Sequence, residues 1–345
     1  MAKATPAPFT LGDQTIAPGT RRTVHLPVSL LADHTQANLS AHVVHGRREG
    51  PVAFVSAAIH GDELIGVEIA RRLIRSSRLK GMSGTLIVVP VVNAFGFLAH
   101  SRYLPDRRDL NRSFPGSPAG SLAARLAHLF LEGIVARCDL GIDLHTAAVH
   151  RTNLAQTRVT ANDAHAMALA RAFGAPVTLT SALREGSLRG EAAARGCTVV
   201  LFEGGEALRH DELTVRAGLA GTLRVLRHAG MLARDLPPPR ADTMEARRSR
   251  WVRAPAGGIV RRLGRLGTSV RAGERVGEVA DPFGEAAAPI LAPAAGLVIG
   301  RSELPAVNEG DALLHVAEFA DAEGAEGTVE AHEAQWADAL EGELG

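Results

Sequence analysis

The chain has 345 residues, 46% of them hydrophobic, and a formal net charge of +1 at pH 7. This length and composition allow a large buried core and exclude a collagen-like or largely disordered protein. The small net charge excludes the strong positive field of a protein that binds nucleic acid or an anionic membrane, so we expect neither as a partner.

Cysteine use and the chain's first residues predict a cytoplasmic protein. Cys138 and Cys197 are the only cysteines and neither lies in a CxxC pair, which argues against a disulfide framework or a zinc knuckle. The segment MAKATPAPFT lacks the basic-then-apolar pattern of a secretion signal. The uncharged run from Gly81 to Ser101 is interrupted by Pro90 and Asn93. It therefore predicts a buried strand and a loop rather than a transmembrane helix.

Short apolar runs and amphipathic segments alternate along most of the chain, after a polar region (1–50) that predicts short strands. Strands are predicted over 52–58, 85–92, 139–145 and 197–203, and helices over 63–80, 121–137, 163–173 and 211–232. This alternation predicts an α/β fold with a mainly parallel, mixed sheet flanked by helices. We assign residues 1–235 to one catalytic domain.

The C-terminal quarter of the chain changes character. Residues 236–250 contain a PPP run and several charges and are predicted to be a linker. Residues 251–318 contain short β segments and glycine turns, which predict a small all-β barrel or sandwich. Residues 319–345 are an acidic tail, expected to be a solvated helix or frayed.

Two similar segments of the β-rich module, APAGGIV and APAAGLV, start at Ala254 and Ala292 and resemble the halves of biotinyl or lipoyl carrier domains. Such carriers need a lysine at a hairpin tip, and no lysine follows Lys80. This excludes covalent biotin or lipoate. We expect a lid, a specificity cap or an oligomer contact, which leaves room for a homo-oligomer.

Polar side chains stand where predicted strands end. His60 and Glu63 lie at a strand-to-helix junction, and His145 ends a different strand. In parallel sheets, ligands bind beyond the carboxyl ends of the strands. Two histidines and one glutamate make the ligand set of a catalytic zinc with one open position. Asp143, two residues before His145, is placed to accept a hydrogen bond from that imidazole and fix its tautomer.

Glu203 closes the strand CTVVLFE and precedes two glycines. A carboxylate that follows an apolar strand should be paired or functional, because burying a lone charge is costly. Beside an activated water it would serve as general base and then as general acid. Glu206 is the nearby alternative, and Glu203 is preferred because it continues the strand directly.

An arginine-rich loop, SRYLPDRRDLNRSFPG, follows the second strand. Its Asn111–Arg112 pair precedes a rigid Phe-Pro-Gly segment, which favours a binding group held in a fixed position. Arginine binds carboxylates bidentately and can stabilise a developing oxyanion.

Four ordered motifs together resemble the succinylglutamate desuccinylase/aspartoacylase family, which is related to the zinc carboxypeptidases. The motifs are HGDE at His60, DLNRSFPG at Asp109, IDLHTA at Ile142 and TVVLFEGG at Thr198.

The resemblance implies the zinc carboxypeptidase-like fold and one Zn2+ per chain on His60, Glu63 and His145. It implies that Glu203 is the acid/base residue, and that Asn111 and Arg112 hold a substrate carboxylate. Arg102 is similar to the family arginine that polarises the scissile carbonyl, with Arg107 or Arg108 as substitutes. Arg189 is a candidate for selecting the acyl group.

These features predict a zinc-dependent amidohydrolase that removes the acyl group from an N-acylated amino acid or a related small amine. A metallocarboxypeptidase and an inactive binding homologue are the alternatives. Tyr103 is the only tyrosine, so a C-terminal tyrosine of the carboxypeptidase type is absent. This absence argues against the metallocarboxypeptidase alternative.

Overall fold

The computed structural model describes residues 6–233 and 236–344. The first ten strands are β1 (Phe9–Leu11), β2 (Gln14–Ile16), β3 (Arg21–Leu30), β4 (Gln36–His45), β5 (Arg48–Ala57), β6 (Ser83–Val89), β7 (Leu140–Ala147), β8 (Arg151–Thr160), β9 (Val177–Ser181) and β10 (Thr198–Glu206). The later strands are β11 (Met244–Ala246), β12 (Ser249–Arg253), β13 (Gly258–Arg261), β14 (Ser269–Val270), β15 (Arg275–Ala280), β16 (Ala287–Leu291), β17 (Gly296–Ser302), β18 (Ala306–Val307) and β19 (Ala312–Glu318). The helices are α1 (Ile65–Arg75), α2 (Ala94–Leu98), α3 (Leu122–Gly133), α4 (Ala164–Phe173), α5 (Leu188–Ala194), α6 (Glu212–His228) and α7 (Ala322–Leu344).

Four parallel strands, in the order β6-β5-β7-β10, form the centre of a 13-stranded sheet. Within this centre Glu203 of β10 pairs in register with His145 of β7. Strand β5 runs parallel to β7 and ends three residues before His60. The carboxyl ends of the central strands therefore bring these three residues to one edge of the sheet. The predicted α/β fold is confirmed.

Antiparallel strands flank the parallel centre on both sides. Strands β4 and β3 extend it beyond β6, and β8 extends it beyond β10. Strands β8 and β9 were not predicted from the sequence. Much of β8 reads as polar, RTNLAQTRVT, yet Gln156 and Thr157 are fully buried. Its polar residues hide the strand from hydrophobic patterning, because buried ones such as Thr157 are satisfied by hydrogen bonds to neighbouring strands.

Helices cover both faces of the central sheet. Ile65, Ile69 and Leu73 recur at helical spacing and bury one side of α1 in a cluster shared with α4 and α6. On the opposite face, α3 and α5 pack in a second cluster with Phe54, Phe114 and Phe130 as its largest buried members. Two separate apolar layers thus hold the sheet from both sides and fix the edge that carries the polar residues.

The segment 81–101 forms β6 and the short helix α2, as a strand-and-loop prediction requires. Among the helices of the described residues, none has both the length and the apolar character needed to cross a bilayer.

The C-terminal β-rich region is a sandwich. A four-stranded sheet, β16-β15-β13-β18, packs against the distal strands of the large sheet around its own apolar cluster, which includes Val279, Ile290 and Val316. The predicted small all-β module is therefore present. The large sheet nevertheless continues without interruption from β8 through β17 and β19 to β12.

The limits of the predicted linker and tail differ from the observed elements. The segment 236–250 contains β11, which pairs with β9, and the start of β12. The acidic segment forms α7, in which Val329, His332 and Trp336 are buried. Its acidic residues cover only part of the helix, so the apolar positions between them can pack on the body of the protein.

Candidate active site

His60, Glu63 and His145 meet at the carboxyl edge of the central strands, and all three are buried. The Nδ1 atom of His60 lies 2.6 Å from Glu63 Oε1, and the Nδ1 atom of His145 lies 2.8 Å from Glu63 Oε2. The three donor groups lie within 4.8 Å of one another. Two imidazole nitrogens and a carboxylate converging on one point are a donor set that zinc accepts.

The outer nitrogen of each imidazole is held by a carboxylate. His145 Nε2 lies 2.7 Å from Asp143 Oδ2, and Ser56 donates to the other oxygen of Asp143 at 2.8 Å. His60 Nε2 lies 3.2 Å from Asp109 Oδ1. A proton on Nε2 leaves the Nδ1 lone pair free, so both histidines are oriented as ligands toward the same centre.

Neighbouring charge keeps the Glu63 carboxylate of this cluster ionised. Burial raises the pKa of Glu63, but attraction to His60 and His145 outweighs burial and keeps that pKa below its ordinary value. Burial lowers the pKa of His145, while Asp143 and Glu63 raise it well above its ordinary value. An ionised, buried carboxylate needs positive charge beside it, which a divalent cation would supply.

The turn that carries His60 is sterically constrained. A Cβ on Gly61 would lie 2.0 Å from the backbone carbon of Gly96, at α2, so only glycine allows this approach. Ala58, two residues before His60, has a φ of +49°, which places a non-glycine residue in the left-handed region. Such strain is typical of functional turns held by their surroundings.

Arg102 reaches the histidine cluster. Its Nη1 lies 3.5 Å from Glu63 Oε1, and its Nε and Nη2 donate to Asp109 Oδ2 at 3.2 and 2.9 Å. Arg107 and Arg108 are exposed and do not line the cleft. Of the three predicted alternatives, Arg102 is the one beside the cluster.

Asp109 connects several parts of the site, and sequence reasoning gave it no role. It bonds His60 and Arg102, and its Oδ1 accepts the backbone N–H of Asn111 at 2.8 Å. Burial raises the pKa of Asp109, but the His60 and Arg102 contacts hold it below its ordinary value. The sequence feature that could have identified Asp109 is its position in the DLNR motif.

Asn111 and Arg112 line the same cleft, whose volume is about 260 Å³. The Asn111 side-chain oxygen accepts the Leu188 N–H at 2.9 Å. That bond ties the loop to the start of α5 and leaves the Asn111 amide nitrogen as a donor. Arg112 donates to the Asn111 backbone carbonyl.

Glu203 also lines the cleft, whereas Glu206 does not. Asn153 donates to Glu203 Oε2 at 2.8 Å, and Arg158 Nη2 forms an ion pair with the same oxygen at 2.7 Å. Glu206 instead accepts the His150 N–H at 2.9 Å and pairs with Arg209. Glu203 is the carboxylate that faces the histidine cluster across the cleft.

Arg189 lies at the far wall. It donates to Ser181 Oγ at 2.8 Å, and its Nη1 is buried without a hydrogen-bond partner in the described residues. Burial lowers the pKa of this guanidinium, and Arg158 adds to the effect. A desolvated cation with a spare donor is suited to an anionic ligand.

Several further residues line the cleft without having been predicted: Arg151, Asn153, Arg158, Arg184 and Trp251. The first three belong to β8, and Trp251 belongs to β12 of the C-terminal region. The missed residues come from elements that only the three-dimensional pairing brings to the site.

The arrangement suits hydrolysis of a carbonyl compound. A metal held by the histidines and Glu63 would face an arginine on one side and a carboxylate on the other. Lewis acid, oxyanion stabiliser and general base are the components of metal-assisted hydrolysis. The arginine-lined walls favour a substrate that carries negative charge.

Known proteins resemble this chain over most of its length. Residues 49–229, a little more than half of the chain, match the model of the succinylglutamate desuccinylase/aspartoacylase catalytic domain. The chain is 28% identical over 300 residues to N-alpha-acetyl-L-2,4-diaminobutyric acid deacetylase of Halomonas elongata, covering 81% of this chain and 85% of that one.

Solved structures share the architecture over nearly their whole length. A succinylglutamate desuccinylase/aspartoacylase from Rhodobacter sphaeroides aligns with a TM-score of 0.77 and 27% identity, covering 86% of this chain and 95% of that one. The product-bound ectoine utilization protein EutE (DoeB) from Ruegeria pomeroyi aligns with a TM-score of 0.80 and 25% identity, covering 91% and 98%. The chain belongs to the succinylglutamate desuccinylase/aspartoacylase family.

Proposed function

We propose that this chain is a zinc-dependent hydrolase that cleaves the amide bond of an N-acylated amino acid or a related small amine. The observation that carries the proposal is the buried His60–Glu63–His145 set facing Glu203 across one cleft. Membership of a family of deacylases supports amide hydrolysis.

The donor set fits zinc, because both Nδ1 atoms and the Glu63 carboxylate converge while carboxylates hold the outer nitrogens. Zinc held there supplies Lewis acidity to the attacking water and to the scissile carbonyl. Asp143 and Asp109 keep His145 and His60 in the required tautomer.

Glu203 moves the proton. Its Oε2 is held by Asn153 and Arg158, and its Oε1 makes no hydrogen bond among the described residues. Oε1 takes a proton from the attacking water and later delivers it to the leaving amine. Arg102 stabilises the negative charge that develops on the carbonyl oxygen. The products are a carboxylate and a free amine.

Asn111 and Arg112 bind the carboxylate of the substrate in this proposal. Arg112 forms no ion pair among the described residues, and Asn111 is anchored by its oxygen with its amide N–H groups available. Paired N–H donors at a fixed spacing match the two oxygens of a carboxylate.

A substrate panel tests the proposal. The zinc-loaded protein is incubated with N-acetyl, N-succinyl and N-formyl amino acids, and with dipeptides that have a free carboxyl terminus, and primary amine is measured. We expect amine release from at least one N-acyl amino acid and none from the dipeptides. Release from dipeptides alone would favour the carboxypeptidase alternative, and no release from any compound would favour a binding homologue.

We place this reaction in the cytoplasm. Cys138 and Cys197 are buried free thiols, and burial raises the pKa of Cys197 to about 12, which keeps the thiol protonated and unreactive. Protein purified without reductant should titrate two thiols after unfolding. A disulfide in protein isolated from its own cells would contradict this assignment.

A further inference from the structure

The charges that line the cleft are unbalanced. Its lining contains the arginines Arg102, Arg112, Arg151, Arg158, Arg184 and Arg189, against the carboxylates Glu63, Asp143 and Glu203. All three carboxylates are engaged: Glu63 with the two histidines, Asp143 with His145 and Ser56, and Glu203 with Arg158. No carboxylate of this lining is left to receive a cationic group of a substrate.

Arg151 is the arginine of this lining that packs against an aromatic ring of the C-terminal region. It begins β8 directly after a tight turn, in which its N–H donates to the Ala148 carbonyl at 3.0 Å. Its guanidinium carbon lies 5.2 Å from the centre of the Trp251 ring. Among the described residues, the side chain of Arg151 has no carboxylate partner and no hydrogen-bond partner. The indole therefore holds this cation in place without neutralising it.

Trp251 is itself fixed by the C-terminal region. It lies on β12 opposite His315 of β19, and the two rings stack nearly parallel, with centroids 4.5 Å apart and planes 6° apart. Burial, with Arg158 nearby, lowers the pKa of His315 to about 4. At neutral pH the imidazole supports the indole as an uncharged ring. Nothing in this stack offsets the charge of Arg151.

We propose that Arg151, seated on Trp251, is a second carboxylate subsite of the cleft, formed jointly by β8 and the C-terminal sandwich. A guanidinium that packs against an aromatic ring keeps its N–H donors free for a bidentate carboxylate. The subsite differs from the pair Asn111–Arg112, which belongs to the loop after α2.

This inference rests on the proposed function and specifies its substrate class. The substrate is an N-acylated amino acid with a carboxylate additional to the one held by Arg112, either on its side chain or at the end of its acyl group. Trp251 acts by positioning Arg151, so the C-terminal region takes part in selecting the substrate.

Matched substrates test the subsite. N-acetylglutamate is compared with N-acetylglutamine, and N-succinyl-glutamine with its succinamide analogue, because each pair differs only in one carboxylate. For at least one pair, Arg151→Ala should lower kcat/KM about 30- to 100-fold on the carboxylate member and less than about threefold on the amide member. Arg151→Lys should recover part of the loss, since it restores the charge without the fork.

Two further variants separate positioning from general damage. Trp251→Leu should give a smaller loss on the same substrates, and Trp251→Phe should retain most of the selectivity. Arg253→Ala is the control, because Arg253 lies on the same strand as Trp251 and donates to the Gly310 carbonyl outside the cleft. It should leave both members of each pair unchanged.

A binding measurement keeps the subsite testable if no substrate is found. Calorimetry should show glutarate binding to the zinc-loaded wild type, weakened at least tenfold by Arg151→Ala and unchanged by Arg253→Ala. The subsite would be overturned if Arg151→Ala lowered kcat/KM equally on both members of both pairs. It would also be overturned if Arg151→Ala left the affinity for glutarate unchanged. A wild type that hydrolyses no N-acyl amino acid but binds glutarate through Arg151 would instead overturn the proposed function alone.

Discussion

At the scale of single residues, the carboxylate of Glu203 is held asymmetrically. Asn153 donates to Oε2 and Arg158 forms an ion pair with it, while Oε1 makes no hydrogen bond among the described residues. A carboxylate anchored by one oxygen keeps the other oxygen in a fixed position to accept a proton and then to donate it.

Replacing Glu203 should therefore separate catalysis from folding. Glu203→Gln should retain the fold and the bound zinc and lower kcat by about 10²- to 10⁴-fold. Glu206→Gln is the matched control, since Glu206 bonds to His150 and Arg209 outside the cleft. Turnover and zinc content of both purified variants check this. Near-normal turnover in Glu203→Gln would show that Glu203 is not the proton-transfer residue. A larger loss in Glu206→Gln would assign that role to Glu206.

The sequence could predict residues whose position follows from the chain itself. His60, His145 and Glu203 each follow an apolar strand, so the parallel-sheet rule was enough to bring them together. Asp109, Asn153 and Trp251 could not be found in this way. Each acts on a partner far away in the chain, and its contact depends on a strand pairing or a loop path that local pattern does not encode.

At the scale of elements, strand β8 links the central sheet to the C-terminal strands. Asn153 pairs with Gly300 of β17 across the sheet, and Gly300 pairs with His315 of β19. A Cβ on Gly300 would lie 2.8 Å from Asn153 Oδ1 and 3.1 Å from His315 Cβ. Glycine at this position leaves room for Asn153 to bond Glu203.

A methyl group on Gly300 should consequently act on catalysis through Asn153. Gly300→Ala should lower kcat about tenfold, with a destabilisation of about 1 kcal/mol, because the nearest atom is the end of a side chain that can move. Gly327→Ala is the control, since nothing lies within 4 Å of a Cβ added there. Steady-state kinetics and urea unfolding measure both effects. Unchanged kcat in Gly300→Ala would show that Asn153 does not position Glu203.

Helices α1 and α6 are joined by an arginine that predicts a pH-dependent stability. Arg72 donates twice to the Glu212 carboxylate at 2.7 Å and once to Glu68 at 2.7 Å. The bonds from Arg72 lower the pKa of Glu212 to about 2. Glu68 also accepts two hydrogen bonds from Arg71, and these, together with the bond from Arg72, lower its pKa to about 2. A carboxyl whose pKa is lowered by folding stabilises the folded state at pH values above its unfolded-state pKa. That stabilisation disappears as the pH falls toward 2.

Arg72→Gln should therefore cost about 1 kcal/mol of unfolding free energy at pH 7 and less at pH 3, where the carboxyls of the unfolded chain are largely protonated. Arg75→Gln is the comparison, because Arg75 is on the same helix, exposed and without an ion pair in the described residues. Urea unfolding at pH 7, 5 and 3 gives the difference. A cost for Arg72→Gln that is independent of pH would mean that packing, not the ion pair, joins the helices.

The predicted elements show where pattern reasoning succeeds. Helix α1 was readable because Ile65, Ile69 and Leu73 repeat on one face. Strand β8 was not readable, because its buried positions include Gln156 and Thr157, whose polarity is satisfied by tertiary contacts. The Thr157 hydroxyl, for example, bonds the Thr178 hydroxyl of β9 at 2.7 Å.

At the scale of the whole molecule, the sheet crosses the domain limits predicted at 235 and 251. Strand β17 pairs with β8, β11 pairs with β9, and Trp336 of α7 lies in the same apolar cluster as α1 and α6. Composition marks where the character of the chain changes, but it does not show whether a sheet continues across that point. A homo-oligomer stays a prediction.

Truncation should reveal this continuity. A chain ending at residue 233 would lose β17, which covers the edge of β8, and also Trp336 and Trp251. It should melt at lower temperature or without cooperativity, and its kcat/KM should fall at least 100-fold, since β8 holds Asn153 and Arg158. Circular dichroism and the amine assay test this. A truncated chain with the wild-type melting temperature and kcat/KM would establish the limit at 235 as an independent domain boundary.

The most direct test of the account is a zinc titration of metal-free protein, followed by atomic zinc content and by amine release from an N-acyl amino acid. We predict that activity rises linearly to one zinc per chain and then stays constant. His60→Ala and His145→Ala should bind little zinc and stay inactive at that ratio. Full activity in the metal-free protein, or one tightly bound zinc in both histidine variants, would contradict the central claim.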